Sequence, residues 1–180
     1  NPMRIRFTII LILLNLAAFG AIFILGQKGK QTSASKSSLA ATIGKEVAEA
    51  ERIELWGDAL ESTRVLERTG STWRMTAPME WSANFFAVNR ILNQLQFLEE
   101  EASFTLAEIE KTGQTLEDYG LDAPALTMSI QSGNESITLS IGALTEVGNN
   151  VYILGPNEKE IFVVSGEALK SLIIDLNELR

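Results

Sequence analysis

A run of 19 uncharged residues, Phe7 to Leu25, constrains this chain more than any other feature in it. As a helix rising about 1.5 Å per residue it would reach roughly 28 Å, close to the hydrocarbon thickness of a bilayer. Arg4 and Arg6 flank one end, Lys28 and Lys30 the other. The run predicts a transmembrane anchor over residues 1–26, in contact with lipid through residues 7–25. A cleaved signal peptide is the alternative, with Ser33-Ala34-Ser35 as a small-residue cleavage site. Its apolar region usually spans only about 7–15 residues, however, so the uncleaved anchor fits better. Flanking charge is nearly balanced and does not orient the span. A long acidic remainder translocates largely regardless of charge, which places the amino terminus inside. Asn15 lies on one face of this helix with Leu11, Ala18 and Ile22. Asn15 and Ala18 are candidate partner contacts, because an amide and a small residue favour close packing between membrane helices. A lone anchor tolerates the same residues.

Composition removes whole classes of function. The chain has no His and no Cys, which excludes His-ligated zinc, Cys clusters, a Ser-His-Asp triad and a Cys nucleophile. Beyond residue 26 it carries 13 basic and 23 acidic side chains, a balance that opposes binding to nucleic acid phosphates. Glu99-Glu100-Glu101 and the Glu117, Asp118, Asp122 group are the carboxylate clusters. Neighbouring helical positions point about 100° apart, so such runs do not converge on a cation and read as solvated faces. No phosphate-binding glycine motif occurs. The expectation is a protein that is not an enzyme, with no cofactor and no metal.

Residues 27–44, rich in Ser, Lys, Gly and Ala, read as a flexible tether, and residues 45–180 as one α+β domain. Arg52–Trp56, Thr63–Glu67 and Thr72–Thr76 predict three short strands, the last two joined by a turn at Gly70. Ser82 is expected to cap a helix from Ala83 to about Leu98, with Phe85, Val88, Leu92 and Leu95 on its buried stripe. A short helix follows over Phe104–Lys111. Four clearer strands come next, at 126–131, 137–141, 150–154 and 161–164. Ile161-Phe162-Val163-Val164, apolar on both faces, suggests a central strand. Ser165 then caps a helix with Leu169, Leu172, Ile173, Leu176 and Leu179 as its stripe. The expectation is about seven mostly antiparallel strands and two main helices, each closing a run of strands in a weak duplication.

Three tryptophans remain. Trp56 and Trp73 sit in alternating strands and read as core. Trp81, between Pro78 and the helix, is the candidate partner contact, although a staple at the helix start explains it as well.

Tyr119-Gly120-Leu121-Asp122-x-Pro124 has a structural explanation. Gly permits a left-handed turn, Asp favours one, and Pro extends the residue before it. Together with Trp73, Pro78, Ala83-Asn84, Ile141-Gly142, Val151-Tyr152 and Ile161–Val164, this string resembles an uncharacterised bacterial domain family. Its members are single-span proteins often encoded beside ABC transporters of the gliding-motility auxiliary type. The likeness covers roughly residues 45–180, and family members commonly carry more than one such module. It implies a single-pass protein of the bacterial inner membrane, with its amino terminus cytoplasmic and its domain extracytoplasmic. The expected partners are integral membrane subunits, and the expected role is that of an accessory subunit. A module binding a glycan, peptide or lipid is the alternative.

Overall fold

The alternating apolar positions from Leu126 onward become the middle of a nine-stranded antiparallel sheet in the computed structural model, which describes residues 38–180. The anchor expected over residues 7–25, with Asn15 and Ala18, and the tether as far as residue 37 lie outside the described residues. Among those described, no helix is long and apolar enough to cross a membrane.

In chain order the strands are β1 (Arg52–Trp56), β2 (Arg64–Thr69), β3 (Thr72–Ala77), β4 (Trp81–Ser82), β5 (Glu100–Thr105), β6 (Leu126–Ser132), β7 (Glu135–Leu144), β8 (Asn150–Leu154) and β9 (Glu160–Ser165). The helices are α1 (Leu39–Ala48), α2 (Phe85–Gln96), α3 (Leu106–Lys111) and α4 (Gly166–Leu172), with a 3-10 turn at Leu116–Tyr119. Across the sheet the order is β4-β3-β2-β1-β6-β7-β8-β9-β5. Two runs of four strands, each followed by a helix, meet where β1 pairs β6, with Ile53 opposite Ile130 and Leu55 opposite Met128.

One sheet face is covered by α1, α2 and α4. Ile53, Leu66, Met75, Met128, Leu139, Ile153 and Phe162 point into that layer and meet Ile43, Val88, Ile91 and Leu172. Each such side chain contributes on the order of 1.5–3 kcal/mol when taken from water. The other face divides. At its β8–β9 end it is covered by α3 and the 3-10 turn over a second cluster of Ile109, Tyr119, Leu121, Leu154 and Ile161. At the β1–β2 end it carries the Arg52 guanidinium paired with Glu67 at 2.6 Å and Glu54 at 3.0 Å.

Several sequence expectations are corrected. Residues 39–44, assigned to the tether, are helical. Ser38 caps α1, its hydroxyl accepting from the Ala41 N–H at 3.1 Å, and Leu39, Ile43 and Val47 are buried at helical spacing. Of the acidic run at 99–101, Glu99 and Glu101 are exposed, as read, but Glu100 and Glu101 open β5. There Glu100 accepts from the Leu39 N–H at 2.8 Å and Glu101 from the Asn150 side chain at 2.5 Å. Helix α2 is capped by Asn84, whose Oδ1 accepts from the Phe86 and Ala87 N–H groups, while Ser82 pairs with Arg74 in β4. Helix α4 does start at Ser165 but stops at Leu172, so Leu176 and Leu179 reach the core from an irregular segment. Ile161–Val164 is interior yet second from the edge. It is apolar on both faces because both are covered there.

Candidate functional site

Helix α2 begins with two consecutive phenylalanines, and adjacent helical positions point about 100° apart, so both cannot face the sheet. Ala87, Val88, Ile91 and Leu95 take the buried stripe. Phe85 is left 50% exposed, Phe86 81% and Phe97 73%, with Asn89, Arg90, Asn93 and Gln94 between them. Phe85 therefore does not belong to the buried stripe in which the sequence placed it. The two leading rings meet edge to face at 5.8 Å. Three such rings, two of them in contact, leave an exposed apolar patch at this helix. At its rim Arg90 is ion-paired with Glu178.

Trp81 lies beside this face but not on it. In β4 it pairs with Met75, so it is not a staple for α2, whose position before the cap is Ala83. The ring is half buried, under the Arg180 guanidinium at 5.8 Å, and lines a cavity of about 510 Å³ with Arg64, Met79, Asp175 and Leu176. Arg64, only 7% exposed, donates to the Ile174 carbonyl and so ties the irregular 173–180 segment to β2. Burial pushes its pKa down, opposed by Asp175 and Glu61. The Arg64 Nε and Trp81 Nε1 are buried without an acceptor. Trp73 is core, as expected, but Trp56 is 37% exposed, at the end of β1 on the face opposite α1, α2 and α4.

The Tyr119 string acts as a turn. Thr115 and Asp118 form a capping box around the 3-10 turn, and Gly120 ends it in the left-handed region at φ 65°. A Cβ on Gly120 would stand 2.9 Å from the Ala143 N, and one on Gly142 would stand 2.3 Å from the Tyr119 carbonyl oxygen. Both glycines are therefore required for the turn to lie directly against β7. Tyr119 and Leu121 are buried, Asp122 is exposed, and Pro124 leads into β6. Pro78, after a cis peptide bond, is exposed before β4.

Docked this way, the Tyr119 ring meets Tyr152 of β8 at 4.8 Å and Phe104 of β5 at 5.3 Å. Its hydroxyl donates to Gln114 Oε1 at 3.0 Å, and burial pushes the hydroxyl pKa up, so it holds its proton. Beside the three rings runs an open groove of about 600 Å³, bounded on the far side by Leu144 and the 85% exposed Val147 of the β7–β8 loop. The sequence does not bring Phe104, Gln114, Asn150 and Tyr152 together, because they converge across strands from positions far apart. For the phenylalanine face a signal existed: the Phe85-Phe86 pair and Phe97 outnumber what one buried stripe can hold.

Among the described residues no group of three or more acidic side chains is placed to hold a metal ion. A family model described as a domain of unknown function, DUF4340, matches residues 73–180, more than half of the chain. No curated protein and no solved structure matches it.

Proposed function

We propose, from the premise that the chain belongs to the DUF4340 family, that it is a membrane-anchored extracytoplasmic accessory subunit working by protein–protein contact in a larger membrane complex. The observation that carries this reading is the exposed Phe85, Phe86 and Phe97 face of α2. Its occupant is an apolar patch on the extracytoplasmic part of an integral membrane subunit, with Arg90 and Glu178 at the polar rim. An ABC-type transporter of the bacterial inner membrane is the complex the sequence resemblance points to. The apolar run over residues 7–25 supports the anchor, with Asn15 and Ala18 as its contacts to partner helices.

The test is purification of the full chain from its source membranes in mild detergent, with mass spectrometry of what stays attached. A stoichiometric membrane partner is expected, and Phe86→Asp should release it without lowering the melting temperature, since that side chain is exposed. A chain that comes out alone, or a partner retained by both Phe86→Asp and Phe97→Asp, overturns the reading. The groove beside Tyr119 favours a second one, a ligand-binding or sensor module, and the two are compatible in one domain.

A further inference from the structure

The groove beside the Tyr119 turn presents one wall of aromatic carbon and a set of unused polar atoms. Its wall is Phe104, Tyr119 and Tyr152, with the Phe104 and Tyr152 rings 6.4 Å apart and edge to face. Gln114 uses its Oε1 on Tyr119 and Thr112, which leaves its amide N–H groups free. Asn150 donates its side-chain N–H to Glu101, which leaves its Oδ1 as an acceptor. Asp118 takes the Thr115 N–H on Oδ2 and keeps Oδ1 open. Donors and acceptors thus border an apolar wall in a groove of about 600 Å³, inside the roughly 300–1,000 Å³ range of small-molecule sites.

Charge narrows the ligand. Asp118 and Glu146 line the groove, and no lysine or arginine does among the described residues, so a phosphate or carboxylate is repelled. An organic cation gains most when rings surround it. Here the rings pack on one another at 4.8–6.4 Å and form one wall, with no space between them for a cation. What suits a single apolar wall bordered by amide and carboxylate groups is a ring with one C–H face and many hydroxyls. We infer that this groove binds a neutral saccharide, its C–H face against Tyr152 and Phe104 and its hydroxyls on Gln114, Asn150 and Asp118. The inference rests on the ligand-binding reading and is independent of the phenylalanine face.

The experiment is calorimetric titration of the full chain, held in a detergent without a sugar headgroup, with chitotriose and maltotriose. Choline chloride and inorganic phosphate are titrated separately. One trisaccharide is expected to bind, and Tyr152→Ala to weaken it about tenfold or more, the loss of one aromatic contact. Gln114→Ala, an exposed change that leaves the fold intact, should weaken it as well, and Trp81→Ala should not. Saturation by choline or phosphate with neither trisaccharide bound keeps a ligand-binding module but overturns the saccharide. No binding of any of the four at about 10 mM, or sugar binding that survives both groove variants, overturns the site.

Discussion

Adding one methyl group to the chain should have opposite effects at two glycines, and the difference is set by the Tyr119 turn. At Gly142 a Cβ would sit 2.3 Å from the Tyr119 carbonyl oxygen, 3.0 Å from the Gly120 oxygen and 3.0 Å from Leu121 Cδ2. Ordinary carbon–oxygen contacts begin near 3.3 Å, so the first is short by about 1 Å. Two of the three obstacles are backbone, on a turn closed by the Gly120 N–H to Glu117 and Leu121 N–H to Leu116 bonds, each 2.9 Å. Rotamer changes cannot relieve that clash, and the turn must lift from β7. Overpacking typically costs about 1–3 kcal/mol, and a clash against backbone belongs at the upper end. At roughly 3–5 °C per kcal/mol for a domain of this size, Gly142→Ala should lower the melting temperature by about 10 °C. Gly44, inside α1, has nothing within 4 Å of its would-be Cβ. There Ala should stabilise by about 0.5–1 kcal/mol, from helix propensity and a less flexible unfolded chain, and raise the melting temperature by about 2–4 °C. Thermal melts of the parent and both variants, followed by circular dichroism under one set of conditions, decide it. If Gly142→Ala melted within about 2 °C of the parent, the turn would not be locked against β7 and the groove beside it would lose its foundation.

Two further changes separate local causes. Asn84→Ala should cost about 1 kcal/mol through the lost α2 cap, whereas Ser82→Ala, at an exposed position of β4, should cost less than about 0.5 kcal/mol; urea midpoints of the two variants test this, and the reverse order would move the cap. Burial raises the Tyr119 pKa above the ordinary tyrosine value, so the stability it contributes is complete below about pH 10 and is lost as pH climbs through the raised native value. Urea midpoints at about pH 8 and about pH 11 should therefore fall less for Tyr119→Phe than for the parent, and an equal fall would assign the alkaline loss to other groups.

Where side chains on one strand face one covered side of the sheet, the sequence is easily read. Strands β1 and β8 have the limits that alternation predicts, and Leu126, Met128 and Ile130 of β6 alternate with Thr127, Ser129 and Gln131 as core and opposite face. Elements held by distant partners are not visible in this way. Strand β4 is two residues long, and β5, reading EEASFT, has no alternation at all. It is a strand because β9 supplies its ladder and because Glu100 and Glu101 find partners at Leu39 and Asn150. Helix α1 was hidden for another reason. The Ser, Ala and Lys around it dominate the composition, while Leu39, Ile43 and Val47 at spacings of four carry the information. Asn84 and Ser82 are both good caps, and propensity cannot choose between them. The choice falls to tertiary pairing, which takes Ser82 into β4 beside Arg74.

The residues between the two strand-and-helix runs explain why the site resisted local reading. After α2 the chain adds β5 to the edge of β9, crosses as α3 and the 3-10 turn, and re-enters the sheet at β6. On its way it covers the second face of β8 and β9, and the residues beneath must be apolar on both sides, as Ile161 and Phe162 are. It does not reach β1 and β2, whose second face keeps Arg52, Glu54 and Glu67. The composition of each strand's outer face is thus dictated by a segment far from it in sequence. Tyr119 shows the consequence. Its neighbours explain that the chain turns there, but only Tyr152 and Gly142 explain why the residue is an aromatic held tightly against β7. The groove forms along the margin of that cover, between the aromatic rings and the β7–β8 loop. A pattern counted along one strand contains the covered positions but not the margin, so a binding site built there must be tested through residues such as Gln114 and Tyr152 that meet only in the fold.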